Sequence, residues 1–164
     1  MDKQNKVLFD CQRMFRHACV FAECADMAMG KNRGDNASLE WFVEPAIVNS
    51  AFACEVFLKA LLLFYECPLK RQHKLKELYE LLPCKPKEYI KQTTMLRYGG
   101  IWEDAFGFEI LDSISNAFVD WRYSYEAIHT LKLDIGFLTA FRNTLCETCC
   151  QVLFSKTWEE YSAN

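Results

Sequence analysis

The chain has 164 residues, of which 51% are hydrophobic, 15% aromatic and 25% charged. This length suits one compact domain, predicted to cover residues 1–164. The aromatic content excludes a disordered chain, because enough apolar surface is available to offset the entropy lost on ordering. The net charge of −3 excludes a strongly basic nucleic-acid binder but allows a local basic patch. Six glycines and four prolines are too few for a turn-rich all-β fold.

The nine cysteines bear on the cellular compartment. Secreted disulfide scaffolds usually carry an even number of cysteines in a shorter chain. Residues 1–15 contain no apolar run of signal-peptide length. The longest apolar stretch, residues 56–65, is interrupted by Lys59 and is much shorter than the roughly 20 residues of a membrane helix. We therefore expect a cytoplasmic protein with reduced thiols and no contact with membrane.

Cys146, Cys149 and Cys150 form a CxxC pair with one extra thiol. One such pair cannot complete a four-ligand zinc site, and no second pair occurs in the sequence. At helical spacing the three thiols share one face, where they are expected to pack as small core side chains. Thiol redox chemistry or metal binding is the alternative. The sequence accordingly predicts no metal site and no cofactor.

Apolar residues spaced three and four apart predict a first helix over residues 3–29, ended by Gly30. Its apolar face consists of Val7, Cys11, Met14, Ala18, Phe21, Ala25 and Ala28. A second helix is predicted over residues 39–65, with Pro45 breaking it into a short lead-in and a long main part. The main part is apolar nearly all round, which is typical of a helix at the centre of a bundle.

The same spacing of apolar residues predicts four further helices. They cover residues 73–82, 86–98, 110–125 and 134–160. Pro83 and Gly99 end the first two of them, and Asp134 is the expected N-cap of the last. No stretch alternates with the period of a strand. The sequence therefore predicts an all-α fold, an up-and-down bundle of about five main helices.

Few polar residues interrupt the central helix. Asn49, Glu55 and Lys59 fall within one sector, about a third of the helix circumference. Glu55 and Lys59 also form an i,i+4 pair in the favourable order. A buried carboxylate needs a partner, since a lone one costs several kcal/mol. Arg122, in an aromatic run, is a candidate structural partner for Glu55.

Residues 49–63 and 73–83 resemble the HEPN domain family. The recurring pattern is a long helix with a Glu and a Lys-Ala-Leu-Leu, a loop, and then His-x-Leu-x-x-Leu opening a short helix. The matching residues here are Glu55, Lys59, Ala60, Leu61, Leu62, His73, Leu75 and Leu78. Residues 118–126 resemble the Arg-Tyr segment that many bacterial HEPN proteins carry in a later helix.

This resemblance implies a HEPN-like helical bundle from bacteria or archaea, usually a homodimer. Many HEPN proteins are metal-independent endoribonucleases in toxin–antitoxin, phage-defence or CRISPR-linked systems. Others are non-catalytic nucleotide- or partner-binding modules, often beside a nucleotidyltransferase. RNA or a nucleotide is therefore the expected ligand, and a nucleotidyltransferase or antitoxin the expected protein partner.

The catalytic signature of that family is an Arg, four to six residues and a His, placed where two protomers meet. Arg122 and His129 match it with six residues between them. The pair suits metal-free RNA cleavage, because His transfers protons near neutral pH and Arg stabilises charge on phosphorus. Arg142 and Asn143 begin a second candidate that has no His at an allowed position. His129 is alternatively an exposed or capping residue.

The remaining candidate residues also have structural interpretations that need no catalysis. His73 is expected to cap the short helix and pack beneath it rather than act as a base. Basic residues cluster at 70–76 and 85–91, where a solvated face competes with an RNA-binding patch. A helical scaffold that binds another protein through Trp41-Phe42 or Ile101-Trp102 is the alternative from a different functional class.

Overall fold

The computed structural model describes residues 3–31, 39–69, 71–99, 108–123 and 133–163. Within these ranges the regular structure is helical and contains no strand, which confirms the all-α prediction. The helices are α1 (Lys3–Lys31), α2 (Leu39–Phe64), α3 (Leu75–Glu80), α4 (Cys84–Tyr98), α5 (Phe108–Ser115), α6 (Ala117–Arg122), α7 (Ile135–Phe154) and α8 (Trp158–Ser162).

Helix α2 lies at the centre and packs against α1, α3, α6 and α7. Ala51, Cys54, Phe57 and Leu61 are fully buried along it, as expected of a helix that is apolar on all sides. Within the described ranges α2 has the length and apolarity of a membrane span over Phe42–Phe64. However, 67% of its most apolar window is buried inside the protein.

Helix α1 packs along α2 through its predicted face. Cys11, Ala18 and Ala25 on that face are completely buried. Fully burying a small apolar side chain contributes about 1 kcal/mol, so the seam is stabilised by many modest contacts. On the opposite side of α1, Phe9 and Val20 are exposed to solvent.

Helix α7 joins the core to α4. Phe137 and Phe141 are fully buried and stack with ring centroids 6.2 Å apart. As predicted, Asp134 caps the helix, and its Oδ1 accepts a hydrogen bond of 2.8 Å from the Phe137 amide. Tyr98 at the end of α4 donates to the same carboxylate. This short bond raises the pKa of Tyr98, because losing the phenolic proton would break it.

Three predicted helix boundaries were wrong. Helix α2 continues through Pro45, which removes only one backbone donor, and the Asn49 amide donates 2.7 Å to the Pro45 carbonyl. The predicted helix 110–125 is interrupted at Asn116. The predicted helix 134–160 ends at Phe154, because Ser155 is left-handed (φ 55°) and Thr157 starts α8 with a capping box.

Candidate functional site

The predicted site residues divide into two groups, one around Glu55 and one around Arg142. His129 lies outside the described residues. Asn49 belongs to neither group, because its amide donates to the Pro45 carbonyl of its own helix. The sequence placed Asn49 and Glu55 in one sector of α2, but the structure gives them different partners.

Glu55 is the buried acid of the first group, with 2% of its surface exposed. Its Oε1 accepts 2.7 Å from the Lys59 ammonium, which confirms the predicted i,i+4 pair. The same oxygen lies 3.0 Å from His73 Nδ1. Oε2 is buried and has no hydrogen-bond partner within the described part of the chain. Leaving this buried oxygen without a partner costs free energy.

Gln72 fixes the segment that carries His73. Its Oε1 accepts the backbone amides of His73 at 3.0 Å and Lys74 at 3.2 Å. Its Nε2 donates to Glu77 on α3. The expectation that His73 caps α3 was wrong: Lys74 occupies the N-cap position, and the imidazole turns back to Glu55 instead. The His73 side chain is still 58% exposed.

The predicted Glu55–Arg122 ion pair was wrong. Arg122 is the last residue of the short helix α6 and is exposed. The Glu55 carboxylate contacts Lys59 and His73 instead. The Arg122 guanidinium lies 4.8 Å from the centre of the Phe118 ring and 4.6 Å from that of Tyr123. Among the described residues, no carboxylate lies within ion-pair distance of it.

An aromatic ring connects these groups. The Phe118 centroid lies 5.0 Å from that of Phe52 on α2 and 6.3 Å from the His73 imidazole. We call the surface formed by Phe52, His73, Phe118 and Arg122 the Phe118 face. An imidazole and a guanidinium both lie near one ring on this face, and the imidazole contacts the buried Glu55.

The second group is built on Arg142, which is 3% exposed. Its Nη2 pairs with Asp26 at 2.6 Å, and its Nη1 donates to the Ser50 hydroxyl at 3.0 Å and the Ala22 carbonyl at 3.4 Å. Nε and Nη2 also donate to the Asn143 side-chain oxygen at 3.3 and 3.2 Å. All five guanidinium N–H groups therefore have acceptors inside the protein, and none is left for a phosphate.

A cavity of about 480 Å³ lies beside Arg142 and Asn143. Its charged walls are Glu23, Asp26, Arg97, Arg142, Glu147 and Glu159. Four carboxylates against two guanidinium groups give it a negative excess. Such a cavity repels a nucleic-acid backbone.

Thiols line the same region. Cys19 and Cys146 lie on the cavity wall, and Cys150 is a further thiol close to Cys146. These contacts and burial raise the pKa of Cys146, so little of the reactive thiolate forms. Cys149 and Cys150 are fully buried, as predicted for core side chains. The described residues contain no group of His, Cys, Asp or Glu arranged to hold a metal ion.

Half of the lysines and arginines that the structure describes in the two basic clusters pair with neighbouring acids. Lys74 pairs with Glu77, Lys76 with Asp112 and Lys87 with Glu80, at 3.0 to 3.4 Å. This surface is therefore better interpreted as a solvated, charged face than as an RNA-binding patch.

The sequence did not indicate two of these contacts. Glu55 visibly needed a partner, but nothing showed that His73 would supply it in place of Arg122. Asp26 and Arg142 lie 116 residues apart, and neither interrupts an apolar run in a way that marks a buried pair.

No protein-family model, curated protein or solved structure matches the chain. The case for a function therefore rests on its residues and their geometry.

Proposed function

We propose that the chain is a HEPN-like cytoplasmic domain that binds RNA at Arg122 and cleaves it without a metal ion. It acts as a homodimer in a toxin–antitoxin or phage-defence setting. The observation that carries the proposal is the state of Arg122: exposed, stacked between two aromatic rings, and without a carboxylate partner among the described residues.

The surroundings of Arg122 suit a nucleic acid. A guanidinium offers a planar fork of donors that matches phosphate oxygens, and stacking on rings orients it without using those donors. In this mechanism Arg122 stabilises the charge that develops on phosphorus, and His129 transfers a proton to or from the reacting oxygens.

The geometry also favours Arg122 over the other arginine of the site. Arg142 has no free donor, and the adjoining cavity carries excess negative charge. A non-catalytic module with Arg122 buried against Glu55 was the alternative suggested by the sequence. Arg122 is instead exposed, which favours a role in contact with ligand.

Exposed apolar residues on α1 support the homodimer. Phe9, Val20 and Met27 are 53%, 54% and 65% exposed. Their separations of eleven and seven residues are close to whole numbers of helical turns, so they lie on one face. A line of large apolar side chains on an outer helix is typical of a surface that another protein covers.

The test is cleavage of a single-stranded RNA oligonucleotide in excess EDTA. We expect the unmodified protein to cleave it and Arg122→Ala to be at least about 100-fold slower, because a lost charge-stabilising donor has that order of effect. Arg97→Ala is the matched control, since Arg97 is an exposed arginine in the last turn of α4 with the same charge, away from Arg122 and from the apolar face of α1.

Each alternative outcome has a separate meaning. Cleavage that EDTA abolishes would contradict the metal-free mechanism. RNA binding without cleavage would instead identify a non-catalytic binding module. If the Arg97 and Arg122 variants weaken RNA binding equally, the interaction is a general charge effect and Arg122 has no special role.

A further inference from the structure

Cleavage of RNA by its own 2′-hydroxyl requires two proton transfers. The 2′-oxygen forms a bond to phosphorus and loses its proton, while the bond from phosphorus to the 5′-oxygen breaks and that oxygen gains one. The products are a 2′,3′-cyclic phosphate and a 5′-hydroxyl. The proposed function assigns one transfer to His129 and leaves the other without a residue.

We propose that His73 is the base that takes the 2′-hydroxyl proton, with Glu55 as its positioning residue. This inference rests on the proposed function and extends it by one catalytic residue. The structural basis is the shared Phe118 face, where His73 and Arg122 both lie near the same ring.

The bond to Glu55 determines which imidazole nitrogen faces solvent. Lys59 donates to Oε1 of Glu55, so this oxygen acts as a hydrogen-bond acceptor. Nδ1 of His73, 3.0 Å from the same oxygen, is then the donor. In the neutral imidazole the lone pair is left on Nε2, the nitrogen turned away from Glu55.

Burial makes Glu55 a suitable support for a base. When the imidazole takes up a proton, its positive charge forms next to a carboxylate that is only 2% exposed and poorly screened by water. The same relation holds in hydrolases in which a buried acid orients a histidine and stabilises its imidazolium form. Lys59 donates to the same carboxylate oxygen at 2.7 Å, which fixes its position beside the imidazole.

Access is the remaining requirement of a catalytic base. The His73 side chain is 58% exposed, while its backbone amide is fixed by Gln72. The accessible imidazole and the guanidinium proposed to bind phosphate both adjoin the Phe118 ring, at 6.3 and 4.8 Å from its centre.

The first experiment compares His73→Asn with His17→Asn in the EDTA cleavage assay. The side-chain amide introduced by His73→Asn replaces Nδ1 as a donor to Glu55 but cannot exchange a proton. His17 is a second exposed histidine, 6.5 Å from Phe52 between ring centres, and lies outside the proposed machinery. We expect His73→Asn to slow cleavage by about 10²- to 10⁴-fold, with RNA affinity and melting temperature unchanged, and His17→Asn to match the unmodified protein.

The second experiment is chemical rescue. Added imidazole should restore part of the cleavage rate of His73→Ala, because the exposed position admits a free base, and should not restore Arg122→Ala. A side chain with only a structural role would show no rescue. This measurement also replaces the first if His73→Asn fails to fold.

A double-mutant cycle tests the positioning role of Glu55. Glu55→Gln should slow cleavage when His73 is present and have no further effect in the His73→Ala background, because its action passes through the imidazole. Equal losses in both backgrounds would overturn the positioning role.

The outcomes separate the two proposals. If the unmodified protein cleaves RNA and His73→Asn cleaves at the same rate, His73 is not the base and the proposed function stands. If the unmodified protein does not cleave RNA, both are overturned.

Discussion

Asp26 and Arg142 differ sharply in their contact with water although they are only 2.6 Å apart. The Asp26 side chain is 63% exposed and that of Arg142 is 4% exposed. The ion pair with Asp26 therefore contributes little to the stability that Arg142 provides, because water screens the exposed Asp26 carboxylate. The buried acceptors, Ser50 and the Ala22 carbonyl, account for more of the cost of losing the guanidinium.

Arg142→Leu should lower the free energy of unfolding by about 2 to 3 kcal/mol, because it leaves the buried Ser50 hydroxyl without its donor. Urea denaturation measures this loss. Arg71→Leu is the control and should change stability by less than about 0.5 kcal/mol, since Arg71 is exposed and lies outside the helices. Equal effects of the two substitutions would show that the buried hydrogen bonds of Arg142 contribute nothing.

The chemistry of single residues was more predictable than their partners. Glu55 and Lys59 could be paired from sequence, because helical geometry fixes the distance between residues four apart. The third member of the cluster could not be identified. His73 and Arg122 both suit a carboxylate, and only the loop held by Gln72 and the end of α6 at Arg122 decide between them.

At the scale of elements, boundaries were predictable where one residue determines them. Gly99 ends α4 with φ 77°, and Asp134 caps α7, and both roles follow from local chemistry. The break at Asn116 depends on tertiary contact instead. The adjoining Ser115 hydroxyl accepts 3.0 Å from the Lys76 amide at the start of α3, which no local pattern indicates.

Ser155→Gly should raise the free energy of unfolding by about 1 kcal/mol, because Ser155 holds a left-handed conformation that glycine adopts without steric cost. Ser162→Gly is the matched control within α8 and should be destabilising, since glycine is unfavourable in a helix. Thermal or urea unfolding compares the two. A destabilised Ser155→Gly variant would contradict the strain assigned to that residue.

At the scale of the whole molecule, the helical class followed from periodicity alone. The spacing of Cys11, Ala18 and Ala25 identified a buried face, and burial confirms it. Which helices meet was not predictable, because packing of α2 against α6 joins segments far apart in sequence. The HEPN-like assignment and the dimer stay predictions.

A composite site between protomers predicts complementation. Arg122→Ala and His129→Ala should each be inactive alone, and a mixture unfolded and refolded together should recover about a quarter of the unmodified rate. Half of randomly formed dimers are mixed, and one of the two sites in each mixed dimer is complete. The EDTA cleavage assay measures the recovery.

The control for complementation is a mixture of Arg122→Ala with itself at the same total concentration, which should stay inactive. Absence of recovery in refolded mixtures that contain dimers, as measured by light scattering, would place both residues of a site within one protomer.

The exposed and the buried cysteines should differ in how fast they react with a thiol-specific label. Cys24 on α1 and Cys84 on α4 are exposed, whereas burial raises the pKa of Cys54 to about 12 and of Cys11 to about 11. At mildly alkaline pH a maleimide spin label should therefore attach to the two exposed cysteines well before these buried ones. Paramagnetic probes on two separate helices would then give distances between protomers in solution, without any engineered cysteine.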